Sequence, residues 1–123
     1  MPIAIGGATE YRAKVLAQSN PSATTSTDIY TVPAYRTANI TGVVVCNRSS
    51  SAITFRLSIG VAGAVLAAAQ YLYYDMSLPA NQSLILETSW LLGVSDVVRV
   101  YASDTNASFT LFGVEEPFQA ITT

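Results

Sequence analysis

From Ala13 to Val114 the sequence alternates apolar and polar residues in short segments divided by turn chemistry, and this period of two points to β-strands. Ala13 to Gln18 forms a first segment. Asn20-Pro21-Ser22 and the Thr/Ser run through Thr27 make a polar loop leading into Asp28 to Val32. Pro33 has no N–H for a sheet ladder, so it ends that strand or places it at an edge. Thr37 to Cys46 predicts a long strand with Ala38, Ile40, Val44 and Cys46 on one face and a bend at Gly42. Asn47 to Ser51 is a turn. Phe55, Leu57 and Ile59 then alternate with Thr54, Arg56 and Ser58, one face buried and one wet. Gly60 to Ala69 is small and apolar, and leaves open a helical turn or an ordered loop. Tyr71 to Asp75, Ser83 to Glu87, Val97 to Ala102 and Ser108 to Val114 resume extended structure. Turns at Pro79 to Gln82, Gly93 to Asp96 and Asp104 to Asn106 separate them.

These segments predict an all-β fold: a single antiparallel β-sandwich or jelly roll of about eight strands, with no amphipathic helix. The 123 residues suit one domain. Residues 1–12 read as an extended N-terminal arm, 13–116 as the sandwich and 117–123 as a C-terminal tail. In the arm, Ile3 and Ile5 flank small residues and Gly6-Gly7 adds flexibility, so docking onto a neighbour is expected.

Charge limits what such a sandwich can do with its exterior. Only 11% of the chain is charged and 50% is hydrophobic, against about 25% charged in ordinary soluble domains. A surface so poor in ions suits a molecule packed against others. The net charge is −2, and the six basic residues are scattered, which disfavours a nucleic-acid footprint. The N-terminus lacks the pattern of a signal peptide, and no apolar run approaches the ~20 residues of a membrane span, so a soluble chain is expected. Cys46 stands alone within Val43-Val44-Val45-Cys46 and reads as a small core hydrophobe.

Chemistry is sparse. There is no histidine, hence no ordinary general base, imidazole ligand or partner for a Ser or Cys nucleophile. No phosphate loop, calcium loop or zinc cluster is present, so no cofactor or metal is expected. A glycosidase can work with two carboxylates alone. Here, however, Asp28, Asp96 and Asp104 sit where Asp caps turns, and Glu115 and Glu116 point to opposite faces. No catalytic residue is assigned, and an enzyme is not expected. The aromatic cluster stands out instead: Tyr71 and Tyr73 fall on one face of a strand, Tyr74 on the other beside Leu72. Such rings fill a core, anchor an interface, or floor a sugar-binding groove.

Several stretches carry a resemblance. Lys14-Val15-Leu16-Ala17-Gln18-Ser19-Asn20-Pro21, Asp28-Ile29-Tyr30-Thr31-Val32-Pro33 and Val44-Val45-Cys46-Asn47-Arg48 resemble small structural proteins of tailed bacteriophages. Gln70-Tyr71-Leu72-Tyr73-Tyr74-Asp75, Asp96-Val97-Val98-Arg99-Val100-Tyr101-Ala102 and Phe112-Gly113-Val114-Glu115 look like the same group. The resemblance spans the chain from Lys14 onward and rests on scaffold motifs without catalytic content. It implies a capsid decoration (cement) protein made in the bacterial host cytoplasm and placed on the virion surface. Its partners would be its own copies, as a homotrimer, and the major capsid protein. Partner contacts are expected at Ile3, Ile5, Tyr11, Tyr71, Tyr73 and Tyr74. Some similar phage sandwiches belong instead to tail fibres or baseplates, where they bind a host receptor or carbohydrate.

Overall fold

The computed structural model describes residues 11–117. Eight strands form two antiparallel four-stranded sheets: β1 (Arg12–Ser19), β2 (Thr27–Thr31), β3 (Arg36–Asn47), β4 (Ile53–Gly60), β5 (Tyr71–Leu78), β6 (Ser83–Leu92), β7 (Val97–Ala102) and β8 (Ala107–Pro117). No α-helix occurs among the described residues; single 3-10 turns lie at Val61–Gly63 and Ala68–Gln70. One sheet has the order β1-β8-β3-β6 and the other β2-β7-β4-β5. First strand therefore pairs with eighth, second with seventh, third with sixth and fourth with fifth. A long ribbon pairs along its length and then wraps on itself, joined by the additional β3–β8 and β4–β7 ladders. This is the jelly roll, one of the sandwich types that the strand pattern allows.

The core lies between the sheets. Phe55, Phe109, Ile40, Leu57, Leu111, Val43, Val45, Val98 and Val100 are fully buried there. β-branched and aromatic residues dominate because they suit a pleated surface covered by a second sheet. Phe55 and Phe109 meet edge to face at 6.2 Å across the layers.

Bulges alter the alternation that the sequence suggests. In β3, Ile40 pairs with Gly113 but Gly42 with Phe112, so Thr41 is an extra residue against β8. The inward phase shifts there: Ala38 and Ile40 point into the core, followed by Val43 and Val45. Val44 and Cys46, expected beside Ala38 and Ile40, are on the outer face instead, and Cys46 is only partly buried. β1 carries a matching extra residue at Leu16, and β6 one in the Thr88–Ser89 stretch, so the irregularity crosses the sheet at one level.

The limits of the sandwich also move. Arg12, assigned to the arm, begins β1 opposite Glu115, and Pro117, assigned to the tail, ends β8 opposite Arg36. Ile3 and Ile5 lie outside the described residues.

The segment after β4 is an ordered loop with two 3-10 turns, fixed by Arg99. That side chain is nearly buried; it donates from Nε to Asp28 Oδ1 (2.7 Å) and through its terminal nitrogens to Gln70 Oε1 (3.1 Å) and the Ala64 carbonyl (2.7 Å). Gly60 leaves room for it, since a Cβ there would stand 2.7 Å from Arg99 and 2.9 Å from the Ala64 carbonyl oxygen. Asp28, expected to cap a turn, is thus the ion-pair partner of Arg99. Asp96 and Asp104 do cap turns, accepting from the Gly93 and Asn106 amides at 2.8 Å.

Candidate functional site

The outward faces of the two sheets differ in chemistry. On the β1-β8-β3-β6 sheet, the register places Val15 beside Phe112, Val44 beside Ile85, and Val114 and Leu91 on either side of Asn39. Ile85 is 70% exposed, Leu91 78%, Val15 45% and Phe112 37%. Outer sheet faces are ordinarily polar, yet this one carries apolar side chains on β1, β8 and β6, joined through Val44 on β3. Its charges are Glu87 within the face, Glu116 near one end, and Arg48 near the other, where Nε donates to the Ser108 hydroxyl at 3.0 Å. Tyr11 is exposed just ahead of β1, at the edge of the same sheet. Alternation along 83–91 holds the signal for Ile85 and Leu91, but a strand taken to end at Glu87 hides it.

The opposite sheet carries an aromatic shelf. β5 pairs with β4 through two irregularities: Phe55 faces Met76, Leu57 faces Tyr73 and Ser58 faces Tyr71. The extra residues rotate the tyrosines relative to strict alternation. Tyr73 turns inward and packs against Phe55 at 6.2 Å. Tyr71 and Tyr74 lie together, edge to face at 4.9 Å. The expected grouping of Tyr71 with Tyr73 is therefore replaced by Tyr71 with Tyr74, leaving Tyr73 to the core.

Arg56, Asp75 and Tyr101 complete the shelf, and the sequence singled out none of them for this. The Arg56 guanidinium lies 4.2 Å from the Tyr74 ring centre and 4.0 Å from that of Tyr101. Asp75 grips it from the side, accepting from Nε at 2.6 Å and from a terminal nitrogen at 3.4 Å. That carboxylate holds the guanidinium protonated even above the usual arginine range. Asp75 adopts φ 51°, a left-handed backbone that non-glycine residues rarely take. Beside the shelf, Leu66, Ala67 and Ala68 wall an open recess of about 490 Å³ floored by Tyr71 and Tyr74.

Glu115, Tyr30, Arg12 and Arg36 form a structural cluster between the sheets at the β1 end. Glu115 is 3% exposed; Tyr30 donates its hydroxyl to Oε2 at 2.5 Å and Arg12 lies 3.8 Å from Oε1. Buried Arg36 donates to the Glu115 carbonyl. Burial, then the bond to Glu115, pushes the Tyr30 phenol well above its ordinary value. Among the described residues no group of three or more His, Cys, Asp or Glu is placed to hold a metal ion, and no helix is long and apolar enough to cross a membrane.

No protein-family model matches the chain, and no curated protein matches it in sequence. Among solved structures, a chain from the structure of infectious bursal disease virus, Gx strain, is similar in fold, with a TM-score of 0.54 at 14% identity. The match covers 88% of the present chain but 33% of the viral one, so the shared part is the jelly roll, about a third of that chain. At such identity the likeness is one of fold.

Proposed function

We propose that this chain is a structural protein of a bacteriophage virion that decorates and stabilises the capsid by bridging major capsid subunits. The observation that carries this reading is the apolar outer face of the β1-β8-β3-β6 sheet on a chain with 11% charged residues. Exposed to water, such a face is a liability; held against a shell, it is an adhesive. Jelly rolls recur in viral capsid proteins, an analogy of fold that adds weight without assigning the role. The resemblance to small tailed-phage structural proteins adds the decoration role, a homotrimeric form and the capsid surface as location.

Four strands about 4.8 Å apart and roughly 27 Å long give a face of about 500 Å². That is below the about 800 Å² per partner of a standard stable interface. One contact is modest, and repetition around a shell supplies avidity. An arm at residues 1–10, with Ile3 and Ile5 and with Tyr11 at its root, adds strand-type contacts to a neighbour. A chain lacking residues 1–10 keeps Arg12 for its pairing with Glu115 and should occupy purified undecorated capsids at lower density than the full chain. Undiminished occupancy removes the arm from the mechanism.

A second reading places the same sandwich on a tail fibre or baseplate as a receptor-binding module. The Tyr71–Tyr74 shelf favours it, because rigid exposed aromatics serve recognition. Immunogold labelling of virions distinguishes head from tail.

A further inference from the structure

We infer that the outer face of the β2-β7-β4-β5 sheet carries a binding site for an uncharged sugar ring, floored by Tyr71 and Tyr74 and walled by Leu66, Ala67 and Ala68. The inference does not depend on whether the protein sits on a head or a tail.

Rigidity is the first argument. An exposed tyrosine normally samples several rotamers, yet Tyr74, 58% exposed, is held from two directions: by Tyr71 at 4.9 Å and by Arg56 at 4.2 Å. Arg56 is itself clamped by Asp75 and by the Tyr101 ring. The left-handed backbone at Asp75 is unfavourable for a non-glycine residue and persists only where surroundings impose it. The wall is fixed too, because Arg99 grips the Ala64 carbonyl and Gln70, and Gln70 Nε2 donates to the Val65 carbonyl at 2.7 Å. Tyr71, Tyr74 and Arg56 lie on the solvent side, away from the inter-sheet core. Such fixed geometry lowers the ordering cost of binding a ligand.

Chemistry selects the ligand. Arg56 and Asp75 neutralise each other, so the shelf offers an anion no spare cation and a cation no spare carboxylate. The rings and the Leu66, Ala67 and Ala68 side chains present an apolar surface. The C–H face of a pyranose fits it, because those mildly positive hydrogens rest on the negative face of an aromatic ring. The Tyr71 and Tyr74 hydroxyls sit at the tips of the same rings, where sugar hydroxyls can reach them. The recess of about 490 Å³ falls within the range of small-molecule sites.

The test is titration of the isotopically labelled full chain with tetrasaccharides of glucose, galactose, mannose and N-acetylglucosamine, following backbone amides by NMR. A sialylated oligosaccharide and an extended peptide serve as competing probes. Millimolar or tighter binding by at least one neutral probe should shift the amides of Ala67, Ala68, Tyr71 and Tyr74. Tyr74→Ala and Tyr71→Ala, folded by their spectra, should weaken it about tenfold, the worth of one ring contact. Tyr35→Ala, in the turn leading to the other sheet, should leave it unchanged. The proposal is overturned if no neutral probe moves these amides, if the sialylated probe or the peptide binds there more tightly, or if the Tyr71 and Tyr74 variants bind as well as the native chain.

Discussion

Asn47 is 1% exposed, and its Nδ2 lies 2.9, 3.1 and 3.0 Å from the carbonyls of Ser51, Leu78 and Pro79, while Oδ1 accepts from the Ser49 amide at 2.8 Å. One amide thus ties the β3–β4 turn to the end of β5. Asn47→Ala removes the donor to one buried and two part-buried carbonyls, which should cost about 2–4 kcal/mol and lower Tm by roughly 10 °C in thermal unfolding. Tyr30 makes a different kind of bond, one that senses pH. Its folded-state pKa lies above the ordinary tyrosine value of about 10, through burial and then Glu115. Below that value the phenol is protonated whether the chain is folded or not, and the contribution is complete. As pH rises past it, the unfolded chain loses its proton first and stability falls. Between about pH 9.5 and 11 the native Tm should drop more steeply than that of Tyr30→Phe, which is less stable at neutral pH by about 1–2 kcal/mol. Parallel slopes would remove Tyr30 as the source.

At the scale of elements, bulges decide which side chains meet. Strict alternation identified β4 well, because Phe55 and Leu57 keep phase in their ladder with β7. It failed in β3 beyond Thr41 and in β5 around Tyr74, where an inserted residue turns the strand over. A sequence shows composition along a strand but not which partner lacks the matching residue. Gly113 marks the place where the β1 and β3 bulges press on β8. A Cβ there would lie 2.4 Å from the Asn39 carbonyl oxygen and 2.7 Å from Leu16 Cδ1. Because backbone cannot yield as a side-chain tip does, Gly113→Ala should destabilise by about 3 kcal/mol in urea unfolding. A neutral result would mean that β3 and β8 separate easily. In the loop after β4, Arg99→Lys should fail to replace the native side chain, since an ammonium cannot reproduce the guanidinium's fixed fork to Asp28, Gln70 and Ala64. Faster amide exchange confined to residues 61–70 is the expected sign.

The whole molecule presents two unlike exteriors, one apolar and one carrying the aromatic shelf. If the apolar face is the adhesive surface, charges placed on it should abolish association without harming the fold. Ile85→Glu with Leu91→Glu changes two side chains that are 70% and 78% exposed, so unfolding stability should shift by less than about 1 kcal/mol. The double variant should fail to bind purified undecorated capsids that the native chain occupies. Undiminished occupancy would place the interface elsewhere. If residues 1–10 supply the separate contact proposed for them, their deletion should act independently of this face.

The sequence by itself determined that the chain is a β-sandwich of eight strands, because period-two alternation and turn residues are local properties written along the chain. It also determined that the exterior is poor in charge, since composition survives folding. Only tertiary structure decided that first pairs with eighth and fourth with fifth, for such pairing depends on contacts between distant residues. The same holds for Tyr71 beside Tyr74, Arg56 between two rings, and Val15, Phe112, Ile85 and Leu91 across one face. Each of those neighbours comes from a different strand or a bulge, and no spacing within a single segment encodes it.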